Sequence, residues 1–248
     1  MSVSPGSVDQ GQTSSLTFTA VTSSSPYTYQ WFSEAPSASS YAPIVGATSS
    51  SYNFVTSAST ATGSWSFQLQ VTDNTGATVD SAAASVTVNS ALVASSASAS
   101  KGTVDQGQTS SLTSTAATTG TSPYTYQWFS EAPSASSYSP IVGATSSSYN
   151  FVTSASTATG NWNFQLQVTD NTGATVNSNA ATVKVNVAPT VSIMPTSWIM
   201  DVGQSKLFTA TASYGSGSYS SYQWYVGGVA QKGMTASTRA RSNVYCYC

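Results

Sequence analysis

Apolar and polar residues alternate with period two along much of this chain. Trp65, Phe67, Leu69 and Val71 fall on one side of a run whose other side is Ser66, Gln68, Gln70 and Thr72. That spacing predicts a strand with one buried face. Leu16, Phe18 and Ala20 alternate with Ser15, Thr17 and Thr19, and Tyr29 and Trp31 with Thr28, Gln30 and Phe32. Val86 and Val88 mark a last strand. Turn formers separate these runs: Asp9-Gln10-Gly11, Pro26, Pro36, Pro43, Gly46 and Asp73-Asn74-Thr75-Gly76. No stretch carries a helical period.

The pattern then repeats almost residue for residue. Ser25–Tyr41 (SPYTYQWFSEAPSASSY) is identical to Ser122–Tyr138, and Ile44–Gly63 recurs unchanged as Ile141–Gly160. Asp9 corresponds to Asp105 and Trp31 to Trp128, with one residue added between them, where the second copy reads GTSP against SSSP. A diverged third copy begins near Pro189. Asp201-Val202-Gly203-Gln204 matches Asp9-Gln10-Gly11-Gln12, and Tyr222-Gln223-Trp224-Tyr225 matches Tyr29-Gln30-Trp31-Phe32. About seven short strands per copy is the pattern of an all-β, immunoglobulin-like sandwich. The expected organisation is one repeat over 1–90, a second over 94–187, and an incomplete third with an anomalous tail over 188–248. The third is expected to pack poorly because its last strands are missing. The links, near Asn89–Val93 and Asn186–Thr190, are too short to act as long flexible coils, so the reading is an end-to-end rod.

Composition narrows the function. Hydrophobic residues are 40% and aromatic residues 11% of the chain, enough for packed cores, while charged residues are only 6%, against about 25% in ordinary domains. Hydroxyls and amides replace ions. The first Lys or Arg is Lys101, so little is available to neutralise phosphates and nucleic-acid binding is not expected. Binding to anionic lipid is disfavoured for the same reason. No apolar run is long enough to span a membrane as a helix. Met1–Pro5 lacks the charged and apolar regions of a signal peptide, so the chain reads as a piece of a longer secreted protein. There is no Asn-x-Ser/Thr acceptor; the Ser/Thr density leaves O-glycosylation open.

Catalysis has little to work with. Histidine is absent, and the two cysteines, Cys246 and Cys248, lie at the far end. The first copy holds four acids, Asp9, Glu34, Asp73 and Asp80. Asp9, Asp73 and Asp80 fall in turns, with no cleft for a facing carboxylate pair. No catalytic, cofactor or metal residue is therefore assigned. Asp73-Asn74-Thr75-Gly76 and its copy Asp170-Asn171-Thr172-Gly173 have oxygens that suit a hard cation, but a β-turn explains them better.

The tryptophans are read as core. Trp31, Trp128 and Trp224 hold the strand position whose side chain packs between two sheets, and Trp65 and Trp162 begin the next alternating strand. Tyr27, Tyr41 and Tyr52 are the better candidates for exposure and contact with sugars or partners, and can equally cover a sheet edge or fill a loop. The tail carries both arginines, Arg239 and Arg241, together with both cysteines. It breaks the repeat pattern like a frame slip.

The stretches VDQGQTSSL, SPYTYQWF, GATSSSYNF and WSFQLQVTDNTGATV resemble tandem immunoglobulin-like domains of archaeal and bacterial cell-surface proteins. Trp65 to Asp73, with its turn and Val-rich strand, also resembles PKD domains, although Trp31 is followed by Phe32-Ser33-Glu34 and not by that family's Trp-Asp-Phe-Gly-Asp-Gly. The resemblance implies a non-enzymatic structural or adhesive segment on the cell exterior, with surface glycans or other surface proteins as partners. Two alternatives stay open. One is a glycan-binding or spacer module of a secreted polysaccharide-degrading enzyme. The other is a filament subunit whose incomplete third copy accepts a strand from a neighbour.

Overall fold

A computed structural model describes residues 1–19, 26–217, 219–232 and 237–242. Ala20, Cys246 and Cys248 lie outside them, so the ideas attached to those residues are left at the sequence level. The described residues form tandem immunoglobulin-like β-sandwiches, two complete and one truncated.

The first repeat contributes β1 (Ser2–Ser4), β2 (Ser7–Asp9), β3 (Thr13–Thr17), β4 (Thr28–Glu34), β5 (Ala42–Pro43), β6 (Ser51–Val55), β7 (Gly63–Thr72), β8 (Thr78–Asp80) and β9 (Ala84–Asn89). One sheet has the order β1-β3-β6; the other runs β2-β9-β7-β4-β5, with β8 paired to the end of β7. The opening strand changes sheets at Pro5-Gly6, so β1 is antiparallel to β3 while β2 is parallel to β9. Ser14, fully buried, holds the crossing by donating its hydroxyl to the Pro5 carbonyl at 2.7 Å. The parallel β2–β9 pairing brings Asp9 beside Asn89, so the turn that follows β2 and the end of the repeat share one pole.

The second repeat reproduces this plan: β10 (Ala97–Ala99), β11 (Thr103–Asp105), β12 (Thr109–Ser114), β13 (Thr125–Glu131), β14 (Ser139–Pro140), β15 (Ser148–Val152), β16 (Gly160–Thr169), β17 (Thr175–Asn177) and β18 (Ala181–Asn186). Its sheets are β10-β12-β15 and β11-β18-β16-β13-β14.

Alternation becomes burial. Along β7, Phe67, Leu69 and Val71 are buried while the residues between them are partly exposed. They join Val8, Leu16, Trp31, Phe54, Val86 and Val88 in one core. The second core adds Leu92, which comes from the segment between the repeats. Where the first repeat packs Phe18 against its core, the second has Ser114. Sequence reasoning expects this exchange to leave the second repeat the weaker. Ser114→Phe is therefore expected to raise its resistance to denaturant, which urea unfolding of variant and parent would measure.

The third repeat contains β19 (Thr190–Met194), β20 (Ser205–Ser213), β21 (Tyr225–Val226), β22 (Val229–Ala230) and β23 (Thr238–Ser242). The sheet β19-β20-β23 matches β1-β3-β6, and β21-β22 is a separate hairpin. Among the described residues no strand pairs with 222–225 as β7 pairs with β4. Val191 and Ile193 are exposed, and an apolar hollow of about 370 Å³ opens between Val191, Ile193, Ala210, Tyr222 and Trp224. The tail that breaks the sequence pattern is nonetheless paired: residues 238–242 lie antiparallel to β20, where the repeat pattern places β6 beside β3.

Candidate functional site

The structure distributes the five tryptophans read as core unequally. Trp31 and Trp128 are fully buried, and each indole N–H donates to a backbone carbonyl, Ser49 at 2.9 Å and Ser146 at 3.0 Å. That bond satisfies the one polar atom a buried indole brings with it. Trp224 is buried as well. Trp65 and Trp162 are only half-buried: each packs against its core but turns its N–H to a loop carbonyl, Ala61 or Ala158, at 2.9 Å. They stand near the start of a long strand, at the end of the sandwich, where the facing sheet covers one side of the ring.

The tyrosines expected at the surface are not free platforms. Tyr52 lies between Trp31 and Phe67, with ring centroids 6.1 and 6.2 Å away. Tyr27 also packs against the core, and the Tyr41 hydroxyl is bonded to Ser66. The alternation Tyr52, Phe54 along β6 held the signal for an inward Tyr52.

What the sequence did not disclose is the joint between the first two repeats. Both acidic turns, Asp9-Gln10-Gly11-Gln12 and Asp170-Asn171-Thr172-Gly173, are built as turns. Gln12 Oε1 accepts the Asp9 amide at 2.8 Å. Asp170 Oδ1 accepts the Thr172 amide, the Thr172 hydroxyl and the Ala174 amide at 2.9, 2.7 and 3.0 Å. Docking then brings the two turns together. Thr121 stands between them: its hydroxyl donates to Asp9 Oδ1 at 2.7 Å and accepts from the Asn89 amide at 2.6 Å, while its backbone N–H donates to Asp170 Oδ2 at 3.0 Å. Gln12 Nε2 reaches the Thr172 hydroxyl at 2.8 Å, and the Gly120 amide donates to the Ser90 carbonyl at 3.0 Å. The Val93 amide donates to the Thr119 hydroxyl at 2.9 Å. A polar crevice of about 350 Å³, lined by Gly63, Asn89, Ser90, Thr119 and Gly120, runs beside this network.

Asp9 is 1% exposed and Asp170 5% exposed. Oδ2 of Asp9 has no donor to accept from. A proton removes that difficulty. Burial, and then the hydrogen bond to Asp170, push the Asp9 carboxyl up to about 6, against a smaller opposing pull from Thr121. Burial acts to raise Asp170 as well, but the hydrogen bonds from Asp9, Thr172 and Thr121 outweigh it and hold the group down at about 2. The two values describe one proton shared by a pair.

The sign follows by linkage. Below the ordinary Asp range of about 3.9, Asp9 carries its proton in both folded and unfolded chains. As pH rises toward 6 only the docked form keeps it, so stability of the joint falls with rising pH. The Asp170 contribution is present above the ordinary range and fades as pH falls toward 2. In chelator-treated protein, raising the pH from 4.5 to 7.5 is expected to increase protease cleavage between Ser90 and Leu92. Asp9→Asn should flatten that profile, and a profile unchanged by the substitution would contradict the assignment. Burial also keeps a substrate from the pair, so its split proton affinities do not make a general acid and base.

The second joint is built differently. The Gly215 amide donates to the Val187 carbonyl at 2.9 Å, and the Asn186 amide approaches Asp105 Oδ1 at 3.3 Å. No second carboxylate is placed there among the described residues. Trp198, exposed in the third repeat, lies under the Lys206 ammonium, 3.8 Å from its ring centroid. The described residues include no cluster of three or more metal-ligating side chains of the His, Cys, Asp or Glu type. They also include no helix long and apolar enough to cross a membrane.

No family model matches the chain, and no curated protein matches it. Solved structures give distant likenesses. The fibronectin(III)-like modules of Clostridium thermocellum CbhA are 11% identical, over 75% of this chain and 95% of theirs, with a TM-score of 0.37. Murine CEACAM1b is 13% identical, over 74% and 97%, with a TM-score of 0.38. The N-terminal four Ig domains of Dscam1 isoform 6.9 are 14% identical, over 98% of this chain and 65% of that one, with a TM-score of 0.30. At these scores nothing about function passes to this chain.

Proposed function

We propose that this chain is a spacer or stalk segment of an extracellular surface protein, with no catalytic role of its own. In this reading residues 1–90 and 94–187 are two independently folding units, and 188–248 is an incomplete third. The observation that supports it most is the joint. Two near-identical sandwiches meet end to end through side-chain and backbone hydrogen bonds, and two of their carboxylates, Asp9 and Asp170, are buried inside that contact. Identical copies extend length and repeat one surface, which suits a spacer and also a multivalent binder. The archaeal or bacterial origin and the PKD likeness belong to this reading through sequence resemblance.

A membrane-impermeant amine reagent applied to intact source cells tests the location. The parent protein should be labelled at Lys101, and full protection would contradict an exterior stalk. A glycan array probed with the 248-residue chain separates spacer from binder: a spacer gives no specific signal, whereas a defined glycan hit would move the reading to a carbohydrate-binding module.

One observation favours a second reading. The hollow in the third repeat exposes an apolar sheet face beside Tyr222 and Trp224, the kind of surface that a strand from a second copy of this chain would cover. Filament assembly of this sort predicts concentration-dependent oligomers in size-exclusion with light scattering. A strict monomer at high concentration would remove it.

A further inference from the structure

We propose that the joint between the first two repeats is a divalent-cation site of the calcium class, with Asp9 and Asp170 as its carboxylate ligands. Three observations converge on it. Asp9 is buried, and its Oδ2 meets no donor. Asp170 Oδ1 is fully engaged by its own turn, which leaves Oδ2 to face the joint with one backbone N–H upon it. The Asn89 side-chain amide and the Thr121 hydroxyl, both uncharged, complete the surroundings.

The charge of Asp170 bears on Asp9, in a chain with no Lys or Arg before Lys101. Two carboxylates and a hydroxyl offer the oxygen ligands of a hard cation that keeps several waters, while the Asn89 amide turns its N–H to the Thr121 hydroxyl and is not a ligand. The crevice lined by Asn89 and Gly120 opens beside the joint. The acidic turn of the first repeat supplies an internal control. Asp73 makes the same turn with Thr75 and Ala77, but no second carboxylate is placed opposite it among the described residues. A turn alone is therefore not the site; the docked pair is. This proposal rests on the joint and not on cellular location, so its failure would leave the stalk reading standing.

Calcium chloride titrated into the chelator-treated 248-residue chain at pH 7.5, followed by calorimetry, tests it. One equivalent is expected to bind in the range of about 10⁻⁴–10⁻³ M typical of extracellular modules. Asp9→Asn and Asp170→Asn should each weaken binding at least tenfold, with the folded state of each checked by circular dichroism. Asp73→Asn should leave affinity unchanged. Absence of binding up to about ten times the weak end of that range would overturn the proposal. So would binding that survives Asp9→Asn, or that Asp73→Asn abolishes.

Discussion

Trp128→Ala is expected to destabilise the second repeat by about 3–5 kcal/mol, the range for truncating a large aromatic side chain in a core. Trp128 is fully buried, and its indole N–H is bonded to the Ser146 carbonyl. Its backbone also ties β13 to the 141–144 turn, since its N–H donates to Ala144 and its carbonyl accepts from Ile141. Truncation would leave a cavity beside Leu166, its partner in β16, and strip the Ser146 carbonyl of its donor. Hydrogen exchange read by mass spectrometry resolves the repeats, which a global melt of a multidomain chain does not. Amide protection at 164–168 should fall about a hundredfold or more, at 1.4 kcal/mol per tenfold, while protection at 67–71 stays unchanged. A loss below about 1 kcal/mol would mean that a core cavity is not being formed.

The second large effect concerns the joint. Gly120 has φ +82°, and a Cβ there would sit 2.7 Å from Asp170 Oδ2 and 3.0 Å from Leu92 Cδ1. Gly120→Val adds a β-branched side chain where the backbone disfavours any side chain by about 1–2 kcal/mol, and drives it into the buried Asp170 and Leu92. The loop must shift, which breaks the Gly120–Ser90 bond and displaces Thr121 from Asp9. Limited proteolysis between Ser90 and Leu92 is expected to accelerate about tenfold or more, the equivalent of losing about 1.4 kcal/mol of docking. Cleavage at the parent rate would show that the loop does not hold the joint.

The strands were legible because burial on one face writes itself into every second residue. Phe67, Leu69 and Val71 announce β7, and Trp31 marks β4, without reference to anything distant. Tyr52 taken singly suggests exposure; beside Phe54 on the same strand it has the inward parity. Trp65 and Trp162 share the parity of the core, but parity does not reveal that a strand runs past the facing sheet. The tail at 238–242 broke the side-chain pattern yet pairs with β20, since backbone hydrogen bonds ask little of side-chain identity.

The joint was illegible for a different reason. Asp9 and Asp170 each sit in a turn that accounts for them locally, and only docking of two folded units brings them together. One trace existed: the added residue in GTSP lengthens the loop that carries Gly120 and Thr121, the two residues that close the contact. The absence of His and of early basic residues was more informative, since it removed whole classes of chemistry before any fold was known.

Tandem domains move relative to one another unless their contact is extensive, so the order of this joint is directly measurable. Val45 and Val142 are equivalent positions, each 99% exposed, on the first and second repeats. Spin labels at V45C and V142C, in a chain with Cys246→Ser and Cys248→Ser, report the distance between the repeats by pulsed electron resonance. A single narrow distribution is expected, and it should broaden when Gly120→Val is added. A broad or multimodal distribution in the parent chain would contradict an ordered joint.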